Sequence, residues 1–294
     1  MSAAESCGDR ATVAQALEIL DWTDMALGTL DGKPRAIRAL AIYTELGDLG
    51  AAARALNGLG AREYFCGRWT EAAQHYERAR AGFERIGDVA NVATTAANLA
   101  EILVEQGRLA EAENNLSAAR RVWQGVGAVS DLAWARYQQG RIAVRAGRPD
   151  EALEHFANAR THFDSHHEPL QVLLVDAATA ECQVLAGQWS EALALSDQTL
   201  RRAASTAALA AAVPALHRTR GLALLQRPDR IGAETALRDS LTTARARAAR
   251  HDIALTLTAL VDHGFGGDQR AGWIEERDRL VTELGIVSLP PVGT

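Results

Sequence analysis

A turn recurs every 40 residues in this chain: Gly67-Arg68-Trp69-Thr70-Glu71-Ala72, Gly107-Arg108-Leu109-Ala110-Glu111-Ala112, Gly147-Arg148-Pro149-Asp150-Glu151-Ala152 and Gly187-Gln188-Trp189-Ser190-Glu191-Ala192. Constant spacing of this kind marks a repeated structural unit. Each turn lies between segments of about 15 to 18 residues whose apolar positions recur at three- and four-residue steps, the spacing of one apolar helical face. The unit is therefore a helix hairpin. A hairpin cannot bury its apolar face alone, so copies must stack into a solenoid, and solenoids work through the long surface they create. The predicted fold is all-α, a right-handed α-solenoid of about seven helix pairs.

Folding the sequence on its period exposes columns. Positions twelve apart pair a small residue on the first helix with Ala on the second: Gly60 with Ala72, Ala100 with Ala112, Gly140 with Ala152, Ala180 with Ala192 and Gly221 with Ala233. Small residues let helix backbones approach closely. Tyr76, Leu116 and Phe156, followed by Ala79, Ala119 and Ala159, continue the core face of the second helix, and Tyr43, Phe83, Trp123 and Phe163 form an aromatic column beside it. Gly47, Gly87 and Gly127 are placed to end second helices in left-handed caps, and Asp48 and Asp88 to cap the helices that follow. Trp69, Trp123 and Trp189 fall on packing columns or turns.

These columns resemble the tetratricopeptide repeat, with its small residue at position eight, Ala at twenty, an aromatic at twenty-four and Ala at twenty-seven. The resemblance covers roughly residues 30 to 250. The period is 40 against the usual 34, which requires longer helices or longer turns, and Arg136 and Asp176 stand where the family prefers a large apolar residue. The segments 54–60, 64–69 and 101–109, with Glu276-Arg277-Asp278-Arg279-Leu280 and Leu284-Gly285-Ile286-Val287, are similar to the C-terminal repeat region of large bacterial regulators that join a nucleotide cyclase or helix-turn-helix output to a signal-transduction ATPase. Residues 1–10 are expected to be a flexible N-terminus, 11–285 a single superhelical domain with terminal capping helices, and 286–294 a flexible tail.

Composition narrows the function classes. A net charge of -6 and a pI near 5.8 argue against nucleic acid as a partner of the array by itself, because phosphate binding needs a basic stripe. Lys33 is the only lysine among 31 basic residues, which reads as coding bias. Cys7, Cys66 and Cys182 are odd in number and widely spaced, as incidental reduced thiols are. No signal peptide or membrane-length apolar run is present, so a cytoplasmic location without membrane association is expected.

Chemistry-bearing motifs are scarce. Gly28-Thr29-Leu30-Asp31-Gly32-Lys33-Pro34 has three residues between its glycines where a phosphate loop needs four, and Pro where Ser or Thr would hold magnesium; it reads as a helix-helix turn. His162, His166 and His167 could place two imidazoles one helical turn apart for a metal, against the plainer reading of an exposed loop cluster. His-Glu-x-x-His, Gly-x-Ser-x-Gly and Cys-x-x-Cys do not occur. No catalytic, cofactor or metal site is predicted.

The predicted function is a noncatalytic interaction or regulatory module that docks a protein or peptide segment in its concave groove, in bacterial signalling or transcriptional regulation. Trp134, Tyr137, Gln138 and Arg141 share one first-helix face, and the family resemblance maps Asn57, Tyr64, Asn98, Glu101 and Glu181 to the same face. A solvated polar face is the bland alternative for these nine residues. Rival functions are a self-associating homo-oligomeric module and a small-molecule sensor or enzyme with a pocket enclosed by the superhelix.

Overall fold

The computed structural model describes residues 9–27, 30, 32–204, 207–227 and 229–290. Residues 1–8 with Cys7, Gly28, Thr29 and Asp31 of the rejected phosphate-loop segment, Pro228, and residues 291–294 lie outside the described residues. Among the described residues there are fourteen α-helices and no strand: α1 Arg10–Leu27, α2 Ala36–Leu46, α3 Leu49–Phe65, α4 Trp69–Arg85, α5 Val89–Gln106, α6 Leu109–Val126, α7 Val129–Arg145, α8 Pro149–Ser165, α9 Pro169–Leu185, α10 Trp189–Ala203, α11 Val213–Leu225, α12 Arg230–Ala246, α13 Arg250–Asp262 and α14 Arg270–Leu284. Odd-numbered helices are the first members of hairpins. Packing divides the chain into two compact units: Met1–Ile102 with Asn114–Ala128, and Leu103–Glu113 with Val129–Thr294. Within the second unit α9 packs on α7 and α11, and α11 on α13, so first helices neighbour first helices.

The 40-residue period resolves into helices, not turns. Helices α3 and α4 are 17 residues long and are followed by three-residue connections such as Cys66–Arg68. The turn motif explains itself locally. Its glycine is left-handed, with φ 68° at Gly67, 80° at Gly107, 71° at Gly147 and 73° at Gly187, the conformation that costs other residues most. In two copies the arginine that follows pairs with the glutamate three residues on, Arg108 to Glu111 and Arg148 to Glu151, both at 2.6 Å, whereas Arg68 pairs with Glu63. Those glutamates sit in a first helical turn, where negative charge suits the helix dipole. Asp48 and Asp88 cap α3 and α5 by accepting from the Ala51 and Asn91 amides.

The small-residue column is buried as its spacing requires. Ala72, Ala112, Ala152, Ala192 and Ala233 are all 0% exposed, and Tyr43, Phe83, Trp123 and Phe163 are buried. The small residue on the first helix faces the side chain four positions beyond the paired alanine. A Cβ at Gly60 would stand 2.6 Å from the Tyr76 ring, at Gly140 2.4 Å from Phe156 and at Gly221 2.7 Å from Leu237. Trp69 is buried, whereas Trp189 at the start of α10 is 37% exposed.

Two departures from the family pattern have distinct outcomes. Arg136 is exposed. Asp176 is 2% exposed, and its carboxylate accepts from Arg160 and Arg202, both at 2.6 Å, so the charge is buried but compensated on both sides.

Ala112→Leu and Ala152→Leu are each expected to destabilise the fold by about 1 to 3 kcal/mol through overpacking. Unchanged denaturation midpoints for both would show that the column is not close-packed. The column of left-handed cap glycines Gly47, Gly87 and Gly127 is continued by His167 at φ 57°, and Ala248 adopts φ 51°. His167→Gly and Ala248→Gly are therefore expected to raise stability by about 0.5 to 1 kcal/mol each, read as a higher urea midpoint with an unchanged slope; a lower midpoint refutes the strain.

Candidate partner-binding face

The first helices of the second unit send charged side chains to one shared face. Arg141 of α7 binds the Glu105 carboxylate at the end of α5, and His251 of α13 places Nδ1 3.5 Å from the same carboxylate. Arg218 of α11 donates to Asp252 of α13 at 2.9 Å and lies 3.9 Å from Glu181 of α9. Arg145, one turn beyond Arg141, donates to the Ser288 carbonyl at 2.5 Å and lies 3.4 Å from that of Glu105. The unit therefore curls far enough for the last turn of α5 to meet α13, 146 residues away in sequence.

Burial gives these charges their character. The side chains of Glu105 and Arg218 are only 13% and 6% exposed. Burial alone would raise the pKa of Glu105, but Arg141, His251 and Arg145 outweigh it and hold the carboxyl at about 2. Burial lowers the pKa of His251 against the pull of Glu105 and Asp252, and lowers that of Arg145. For Arg218 burial is again opposed, and Asp252 and Glu181 raise its pKa. The face is a desolvated lattice of alternating charge with polar atoms already directed.

The predicted site residues divide between the two units. In the first, Asn98 donates to Asn57 at 2.9 Å across α5 and α3, Tyr64 stacks near Trp69 with ring centroids 6.3 Å apart, and Glu101 is half-buried. In the second, Arg141 and Glu181 belong to the charged face. Trp134 is half-buried against Tyr137 and Phe163, with centroids 4.9 and 6.5 Å away. Tyr137 and Gln138 correct the expectation of a partner-facing surface. Tyr137 is 7% exposed in the aromatic core beside Phe156, and Gln138 is 0% exposed and accepts from Arg141 at 2.9 Å. Both hold Trp134 and Arg141 in place from beneath.

Sequence reasoning missed Glu105, Arg145, Arg218, His251 and Asp252. A signal existed for two of them: 101, 141 and 181 are one repeat position, and 105 and 145 are the same position one helical turn later. The histidines at 162 and 166 stack with ring centroids 4.0 Å apart, and His167 is the strained cap residue. Among the described residues no group of three metal-ligating side chains converges, and no helix is long and apolar enough to cross a membrane.

The pH response follows from Glu105. Its folded pKa near 2 lies below the ordinary 4.5, so its contribution is complete above about pH 4.5 and lost as pH falls towards 2. Glu105→Gln should lower stability at pH 6 by up to about 3 kcal/mol, and the deficit should shrink by pH 2.5. A deficit independent of pH, measured by urea unfolding, would refute the ion-pair account.

Residues 52–86 and 89–165 match tetratricopeptide repeat models. A comparison with curated proteins gives no match. Among solved structures, a Rap protein complexed with competence and sporulation factor is similar with a TM-score of 0.65 over 83% of this chain and 69% of its own, at 15% identity. At that identity the likeness establishes the fold. Over these two stretches the chain is similar to the tetratricopeptide repeat, whose columns its sequence resembles.

Proposed function

We propose that this protein is a noncatalytic interaction scaffold that docks an extended protein or peptide segment on its first-helix face. The observation that carries the reading is the convergence of Glu105, Arg141, Glu181, Arg218, His251 and Asp252 from α5, α7, α9, α11 and α13 onto one face. A solenoid needs no such lattice to stack, since its hairpins are held by Ala, Leu and aromatic contacts. Pre-oriented, partly desolvated charges instead suit recognition of a polar chain, where they fix register and partner choice. The Rap protein that shares the fold is itself seen in a complex, which agrees with the reading.

A place in bacterial signalling rests on the resemblance of segments 54–60, 64–69, 101–109 and 276–287 to the repeat region of cyclase and ATPase regulators. A cytoplasmic location belongs to the same reading. A concavity of about 320 Å³ lined by Glu113, Gln139, Ile142, Arg148 and His155 is at the small end for an organic ligand and is lined by residues outside the charged face, so it does not favour a sensor.

The test is affinity capture on the intact chain followed by mass spectrometry, then titration of the recovered partner. Arg141→Ala and Glu181→Ala should each weaken binding at least about tenfold with ellipticity unchanged. Binding of both variants at the parent's affinity would remove the function from this face.

A further inference from the structure

The segment that follows α14 lies against this unit in an unusual way. After the left-handed Gly285, the Val287 amide donates to the Gln106 carbonyl at 2.8 Å, the Gln106 side-chain amide donates to the Leu284 carbonyl at 3.0 Å, and Arg145 donates to the Ser288 carbonyl at 2.5 Å. Two neighbouring residues of the segment, Val287 and Ser288, are thus fixed through their main chain, and Leu284 at the end of α14 accepts the third bond. Its side chains contribute little, since Val287 is 69% exposed and Ser288 is exposed, and only Ile286, at 8%, is buried.

The turn at Gly107 supplies an independent mark. A Cβ there would stand 2.1 Å from the Ser288 hydroxyl oxygen and 2.8 Å from its carbonyl oxygen, whereas the corresponding space at Gly147, one repeat on, is open. One member of a repeated turn is therefore covered by a segment of the same chain. Residues 287 and 288 of the C-terminal segment thus have specific partners.

We propose that Gln106, Gly107 and Arg145 form a main-chain-reading subsite for a short peptide segment bearing one β-branched aliphatic anchor, and that residues 286–288 occupy it in cis. Contacts made to peptide groups and one aliphatic side chain are ones that another segment of the same local shape can reproduce. Arg145 ties the subsite to the charged face, because the helix that supplies it also supplies Arg141. This rests on the scaffold reading and adds to it that a partner entering here must first displace the chain's own segment, whose occupancy lowers the apparent affinity for anything in trans.

The test uses the full chain, its Val287→Pro variant and a fluorescein-labelled synthetic peptide of residues 285–290. Proline at 287 removes the donor to Gln106 at an exposed position beyond the last helix, so ellipticity should not change. Hydrogen exchange should show the Val287 amide, which donates to the Gln106 carbonyl, protected in the parent. The labelled peptide should bind the variant at least about tenfold more tightly than the parent, and the same peptide carrying the Val-to-Pro change should bind neither. An unprotected Val287 amide in the parent, equal peptide affinity for parent and variant, or no binding to either would overturn the proposal. Exchange and peptide binding do not use Glu181 or a captured partner, so they remain informative if the scaffold reading fails.

Discussion

The contact between a small residue on one helix and a large side chain on the next is the constraint on which the array depends. At Gly140 there is no room for one carbon before the Phe156 ring, and Gly60 with Tyr76 and Gly221 with Leu237 repeat the arrangement. Each large side chain is thereby driven against backbone, and the paired alanine, fully buried in all five copies, sets the separation at which this happens. Interiors packed this tightly transmit a change in one hairpin to its neighbours. Stacking of such hairpins within the second unit brings the end of α5 to α13.

That approach of α5 to α13 is what converts a periodic sequence into a non-periodic site. Glu105 and His251 are far apart in sequence and occupy unrelated repeat positions, yet they share a contact that only the accumulated geometry produces. Removing one partner of the ion pairs there is costly, yet an apolar replacement of the whole set could stack the hairpins as well, because desolvation offsets much of the attraction between buried charges. Asp176 shows the contrast. It too is buried, but its two arginines are more than a third exposed, so they cover it at little cost in desolvation and leave no face for a partner.

The sequence displayed the hairpins, the turns, the left-handed glycines and the packing columns because each is set by residues within one 40-residue unit. Asn57, Asn98, Arg141 and Glu181 were assigned to first helices by the same local logic, and they lie on α3, α5, α7 and α9. Tyr137 and Gln138 were misjudged because three- and four-residue spacing places side chains on a face without saying how deep that face lies beneath its neighbours. Arg218, His251 and Asp252 were invisible for a different reason. They sit where the spacing slips from 40 to 41 and the Gly-Arg turn is lost, so no column leads to them, and their partners are fixed only by the closure of the unit. The segment after α14 was equally hidden, since its main-chain contacts depend on no residue type except the glycine that makes space.

The charge count on the face also limits how recognition can work. Glu105, Glu181 and Asp252 offset Arg141, Arg145 and Arg218, leaving His251, whose neutral form burial favours, as the remainder. Such a face exerts little net pull at a distance, unlike a basic groove that steers an acidic partner from solution. On the proposed reading, selectivity would arise at contact, where a segment that misplaces a carbonyl or a charge by one residue would leave a desolvated guanidinium or carboxylate unmatched, a loss larger than the gain from a correct match. The main-chain partners of residues 286–288 fit that logic. They satisfy Arg145 and the end of α5 without adding charge, so the chain's own segment can sit beside the lattice without disturbing its balance, and a displacing segment must do the same.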